Sequence, residues 1–424
     1  MKWQQLSSNE KSKYFVGEYL RVRERSTSLC SCLAAEDHAV QPVAYVSPPK
    51  WHLGHTTWFF EEVILEKCLS GYTRFNQQYR LLFNSYYKSA GKHWQQNQRG
   101  DLSRPTVEEV IRYRSYVDNL IVNYLSSAEV DDSDLSLLEI GLHHEQQHQE
   151  LLLMDIKYIF GCNPISPVFS EARLSTASLI NQTWRSFNEG ISQIGALEGS
   201  FAYDNEKPKH KTYIYSFAIS ESTVTNGDYL EFIDSGGYDQ AEFWLSLGWD
   251  WVSNEEITHP LYWRKIDNEW YEFSLHGLNL LDLNAPVTHV SYFEADAYAK
   301  WKGVRLPSEQ EMEVYLASYD GEFFGISECE KRAGDKPDIY HPTQSDAPFG
   351  QVWCWSKSQY SGYPGYKPYQ GMLTEYNGKF MCNQFVLRGG CIATPYGHYR
   401  HSYRNFYAPN QRWMFSGIRL AKDI

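Results

Sequence analysis

The run Gly-Leu-His-His-Glu-Gln-Gln-His-Gln-Glu at 141–150 concentrates side chains that bind metals. On a helix, His144 and His148 stand one turn apart on a shared face, so both imidazoles reach one ion. His143 is off that face, because its partner four residues on is Gln147. The plainer alternative is a polar helix face rich in His and Gln. His144-Glu145-Gln146-Gln147-His148 also matches H-E-x-x-H, which in a zinc protease makes Glu145 the general base. That reading needs a third ligand downstream, and the glycine and third histidine of the longer metzincin form are absent.

A third ligand is available upstream. Trp51-His52-Leu53-Gly54-His55-Thr56-Thr57-Trp58 opens another helix after Pro48-Pro49, and either His52 or His55 can face inward. Three histidines from two helices of a bundle make a facial site with open positions, suited to zinc or to ferrous iron. Three neutral imidazoles leave the full +2 charge on the metal, ready to take up a thiolate or an oxygen-derived anion.

These motifs need rigid helices, and residues 10–165 supply the pattern. Val107 to Leu125 has apolar residues recurring at three and four, with Thr106 as cap and Glu108 and Glu109 in the first turn. A second stretch runs from Leu135 to Phe160, begun near Asp134, and another surrounds Trp51 to Cys68. An antiparallel helical bundle over residues 1–165 is expected, then a Ser-, Asn- and Thr-rich linker over 166–194. From 195 to 424, short β-like runs such as Thr212–Ile219 alternate with turns, and helical stretches are expected only around Asn226–Ile233 and Glu294–Trp301. The fold class is α+β multidomain: a helical bundle, then an irregular α+β domain on a modest sheet.

Composition narrows the partners. The 424 residues carry 52 acidic and 39 basic side chains, a net charge of −13, which argues against a nucleic-acid partner. No window has the apolar length of a membrane span, and Met1-Lys2-Trp3-Gln4-Gln5 lacks an apolar signal core, so a cytoplasmic protein is expected. The eight cysteines, at 30, 32, 68, 162, 329, 354, 382 and 391, read as mostly buried thiols without a disulfide frame. Oligomeric state is not encoded in any motif.

The chain resembles the ergothioneine-biosynthesis sulfoxide synthases, in which a DinB-like helical domain is fused to a formylglycine-generating-enzyme-like (C-type-lectin-like) domain. The likeness rests on Ser47 to Glu61 and Gly141 to Glu150 in the first half. In the second half it rests on Arg305-Leu306-Pro307-Ser308-Glu309, Gly350 to Trp355, Leu387-Arg388-Gly389-Gly390 and Phe415 to Leu420. The second set alone marks only a fold. The resemblance implies that His55 is the first metal ligand, with His144 and His148, and that the metal is Fe(II). It implies a reaction in which O2, as co-substrate, joins a cysteine-type thiol to C2 of the imidazole of hercynine (trimethylhistidine), giving a sulfoxide.

Further roles follow from the same resemblance. Tyr86 and Tyr87 match a branch that places two adjacent tyrosines near the iron, where a phenol delivers a proton. Gln147 approaches the substrate imidazole. In Tyr403-Arg404-Asn405-Phe406-Tyr407, Asn405 holds the hercynine carboxylate and Phe406 walls its trimethylammonium. Arg99 and Arg104 lie where the family binds the carboxylate of the thiol, with Arg99 preferred because Arg104 also suits a helix start. The branch using γ-glutamylcysteine has an Asp after an aromatic in the last strip, where this chain has Tyr407, which favours free cysteine as donor. The late cysteine pair of formylglycine-generating enzymes is reduced to Cys391, so sulfatase activation is not expected. The alternatives are an ovothiol-type synthase, expected to carry an added methyltransferase domain, a selenoneine-type synthase, or a DinB-type zinc hydrolase or transferase.

Overall fold

Where the sequence pattern is strongest, capped amphipathic helices form. In the computed structural model, which describes residues 3–85, 87–127, 130–178, 182–319, 339–345 and 347–424, the chain divides into two units. The first is Met1–Cys162 with Glu198–Phe201 and Tyr369–Tyr376. Helix α1, Ser8–Leu29, starts at a capping box in which the Ser7 amide donates to Glu10, and buries Phe15, Tyr19, Val22 and Leu29 along one stripe. Helix α2, Pro49–Phe60, is buried at every residue, so it runs through the core. It continues into a π-helical turn, Glu61–Leu65, whose Glu61 accepts from Tyr113 at 2.7 Å and from Tyr72. Helix α3, Val107–Leu125, has the expected cap, Thr106 accepting from the Glu109 amide. Helix α4, Asp132–Gly161, is capped by Asp131, which accepts from the Ser133 and Asp134 amides.

Among the described residues, the second unit, Asn163–Leu197, Ala202–Pro368 and Asn377–Ile424, is built on four small sheets. Strand β1, Trp184–Phe187, and β2, Gly190–Ile194, come first. They are followed by β3, His210–Ile214, and β4, Phe217–Ser220. Strand β1 pairs antiparallel with β4, and β2 with β3. The expected linker therefore ends in sheet, because alternation in Gly190–Ile194 outweighs its polar composition. Thr212–Ile219, expected as one run, breaks at Tyr215-Ser216 into two strands of different sheets.

Helices α5, Asn226–Asp234, and α7, Tyr292–Trp301, cover the expected stretches. Among the described residues, two more helices lie outside the expected stretches: α6, Ser246–Asn254, and α8, Glu309–Ala317. The Arg305–Glu309 motif supplies the start of α8, with Ser308 capping through the Glu311 amide. Strands β5, Trp263–Ile266, β6, Glu269–Ser274, and β7, Gly277–Leu280, form an antiparallel meander. The last sheet runs β10-β9-β8-β11, from Asn405–Tyr407, Phe385–Arg388, Trp353–Gln359 and Ser416–Gly417. Strand β12, Ala421–Asp423, returns to pair with β4.

The seven described cysteines are free thiols, but only Cys30, Cys354 and Cys391 are buried. That corrects the expectation of mostly buried thiols; Cys329 lies outside the described residues. Among the described residues, no helix is long and apolar enough to cross a membrane.

Candidate metal centre

Helices α2 and α4 bring His55, His144 and His148 together, with one nitrogen from each within 4.8 Å of the others. Their ring centroids lie 4.7 to 5.0 Å apart. His55 is held between Trp51, stacked at 4.6 Å, and Trp58, stacked at 5.5 Å. His144 stacks on Phe59 at 4.2 Å. The imidazoles are thus oriented by packing, as a preorganised site needs. Gly54 permits the approach of the segment beyond: a Cβ there would come within 2.2 Å of the Phe83 ring, and the Phe83 carbonyl accepts from His55 Nδ1 at 2.6 Å.

That bond fixes the tautomer. With its proton on Nδ1, His55 turns a bare Nε2 toward His144 Nε2, 3.3 Å away. Nδ1 of His144 is buried and has no hydrogen-bond partner among the described residues. With the His144 proton placed there, two Nε2 lone pairs face one point, an arrangement that a shared cation relieves. Burial pushes the pKa of all three imidazoles well below the ordinary value, and a neighbouring imidazole adds to the shift in each case. They are neutral at pH 7, the form that binds a metal. The donor set fits a divalent ion with open positions.

Glu145 behaves differently from the H-E-x-x-H reading. Its carboxylate accepts from Arg23 at 2.8 Å, Ser26 at 2.6 Å and Arg114 at 2.9 Å. Burial raises its pKa, but Arg23 and Arg114 outweigh that and hold it below the ordinary carboxylate value. Both oxygens are engaged, so Glu145 clamps α4 to α1 and α3 and is not placed to serve as a general base.

The other expected residues are placed as follows. Gln147 accepts from the Tyr376 hydroxyl at 2.5 Å, and the Tyr376 ring lies 5.8 Å from that of His144, within the same unit. Tyr87 is fully buried against Trp58 and Phe59, while Tyr86 lies outside the described residues. Arg99 is buried, with its guanidinium 3.3 Å over the Trp51 ring and donating to Ser47 Oγ at 2.7 Å. Arg104 is exposed and donates to the Ser103 carbonyl. In the second unit, the Asn405 side chain accepts from the Phe406 amide, Phe406 stacks on Tyr360 at 4.0 Å, and Tyr407 meets Trp413 edge-on.

Three residues escaped the sequence reading. Tyr376 is one of 32 tyrosines and no spacing marks it. Arg404, read only as part of a substrate strip, closes on Glu309 at 2.8 and 2.9 Å and so anchors the start of β10. Asp155 was findable: it stands seven residues after His148, two turns on along the same face.

Comparison with known proteins agrees with both halves. The DinB superfamily model matches residues 18–152, and the sulfatase-modifying factor enzyme 1-like domain model matches residues 183–340. Hercynine oxygenase of Mycobacterium tuberculosis is 30% identical over 315 residues, covering 69% of this chain and 73% of that protein. Hercynine oxygenase of Mycolicibacterium smegmatis is 34% identical over 254 residues, covering 54% and 58%. Ergothioneine biosynthesis protein 1 of Schizosaccharomyces pombe is 28% identical over 238 residues, covering 53% of this chain and 28% of its own length. With a DinB-type helical half, a sulfatase-modifying-factor-type second half and nearly three quarters of a hercynine oxygenase matched, the chain belongs to the hercynine oxygenase family.

Proposed function

We propose that this chain is a non-haem Fe(II), O2-dependent sulfoxide synthase joining the sulfur of L-cysteine to C2 of hercynine. The observation that carries the reading is the convergence of three neutral, aromatic-braced imidazoles, with the Nε2 atoms of two of them 3.3 Å apart. When bound there, iron supplies one-electron chemistry with O2 and a seat for a thiolate. The reaction balances without another reductant. The C2–H and S–H bonds break, C–S and S–O bonds form, and the second oxygen atom leaves as water with the two hydrogens.

The chain's own residues then orient and protonate. Tyr376, bonded to Gln147 and packed on His144, is the described phenol best placed to move a proton at the ligand face. Tyr86 and Tyr87 are the second reading, from the family resemblance. Gln147 directs the hercynine imidazole. In the second unit, taken by itself, Asn405 offers a side-chain amide to a carboxylate, and Phe406, in an aromatic pair with Tyr360, suits a trimethylammonium, which has no N–H to donate. Arg99 pairs with the cysteine carboxylate, and Arg104 adds positive charge from an exposed position. Tyr407 supplies no acid for a γ-glutamyl ammonium.

Iron stoichiometry tests the assignment. His55→Ala, His144→Ala and His148→Ala each lower bound Fe(II) and turnover together. Full iron content in His55→Ala would remove it from the ligand set.

A further inference from the structure

His52, the histidine that competed with His55 as a ligand, has both ring nitrogens committed elsewhere. Its Nε2 lies 2.9 Å from Asp155 Oδ2, and its Nδ1 lies 2.9 Å from Nδ1 of His148. With Asp155 ionised and both imidazoles neutral, one proton assignment satisfies the whole chain. A carboxylate accepts, so His52 Nε2–H donates to Asp155. The neutral ring then accepts at Nδ1, so the His148 Nδ1–H donates to it. His148 is left with a bare Nε2, the nitrogen free to take a metal.

The geometry points to His52 and Asp155 as positioning residues that fix the tautomer and ring orientation of ligand His148 and bring a buried negative charge to the site through one intervening imidazole. The inference rests on the three-histidine site proposed above. It explains why two buried polar residues, His52 at 3% and Asp155 at 2% exposure, sit in the core beside the centre. Asp155 is itself held: its Oδ2 accepts from the Ser47 amide at 2.8 Å, and Ser47 Oγ accepts from Arg99. An ordinary core histidine would need partners, but not a second imidazole that itself belongs to the three-histidine cluster. Partners of this kind raise ligand basicity and exclude the wrong tautomer.

The test is metal affinity, measured anaerobically with Fe(II) and, for its absorption spectrum, with Co(II), by competition against a chelator. Asp155→Asn is isosteric and keeps an acceptor for His52, but removes the charge. His52→Ala removes the acceptor for His148, and His52→Asn restores a shorter one. Asp155→Asn and His52→Ala should each weaken binding by ~10–100-fold, with His52→Asn between His52→Ala and the parent protein. Because the two residues act in series, the double variant should be no weaker than His52→Ala alone. Additive losses, or parent-like affinity in Asp155→Asn, would overturn the relay while leaving the three-histidine site intact. A parent protein that binds neither ion overturns both. Should His52→Ala not fold, Asp155→Asn with its Co(II) spectrum decides alone.

Discussion

Glu145 and Arg114 meet at 2.9 Å with both side chains almost wholly buried, and Arg23 closes the same carboxylate from the other side at 2.8 Å. The residue between two metal-facing histidines is thus a structural clamp. Breaking a buried pair by removing one partner strands the remaining charge and costs ~3–5 kcal/mol. Glu145→Ala should therefore lower the unfolding free energy of the metal-free protein by about that amount, and Glu145→Gln by less. Denaturant titration followed by helical circular dichroism reads it. Unchanged stability with activity abolished would return Glu145 to a catalytic role.

Tyr376→Phe removes the hydroxyl that Gln147 accepts and nothing else. Iron content should stay the same, while C–S bond formation slows by ~10²–10⁴, the range of acid–base groups. Tyr87, packed on Trp58 and Phe59, should show a smaller rate effect on change to Phe. Rapid-quench measurement of product per iron compares them. A parent-like rate in Tyr376→Phe with a collapse in Tyr86→Phe or Tyr87→Phe would move the proton to the adjacent pair.

Much of the helical unit was legible because its signals are local. Thr106, with Glu109 three residues on, caps α3 where the spacing puts it, and the four-residue gap of His144 and His148 needs only a helix. The choice between His52 and His55 was not legible, since both lie on a helix buried on every face and only the Phe83 carbonyl and Asp155 separate their roles. Tyr376 was hidden for a different reason: it reaches Gln147 across 229 residues of sequence, and no local pattern encodes such a contact. Strand β2 was lost inside a polar stretch, because its pairing with β3 fixes it more than its composition does.

In the second unit, Glu309 is buried between Arg404 and Arg388. Burial raises its pKa, but the two arginines outweigh that and hold it below the ordinary carboxylate value. A depressed folded pKa adds stability above the unfolded value, about 4.3, which is lost as pH falls through the folded one. Glu309→Gln should melt well below the parent protein at pH 7, and the gap should narrow below pH ~4. Calorimetry at the two pH values checks this. A gap independent of pH would mean that the carboxylate charge contributes nothing.

Sulfur-donor choice turns on charge. A γ-glutamyl group brings an ammonium that needs an acidic partner, and Tyr407, edge-on to Trp413, offers only a phenol. kcat/KM for cysteine should exceed that for γ-glutamylcysteine by at least roughly tenfold, about 1.4 kcal/mol, and Tyr407→Asp should narrow the difference. O2 uptake with each thiol at saturating hercynine measures both.

The mass of the product formed under ¹⁸O2 bears most directly on the central claim. The protein is reconstituted anaerobically with Fe(II) and given hercynine and cysteine before the labelled gas. A single product should appear, with the mass of hercynine plus cysteine plus O2 less one water, carrying one ¹⁸O atom, and it should vanish in His144→Ala. Oxygen uptake that yields only oxidised cysteine, or the same product from His144→Ala, would contradict a sulfoxide synthase built on these three histidines.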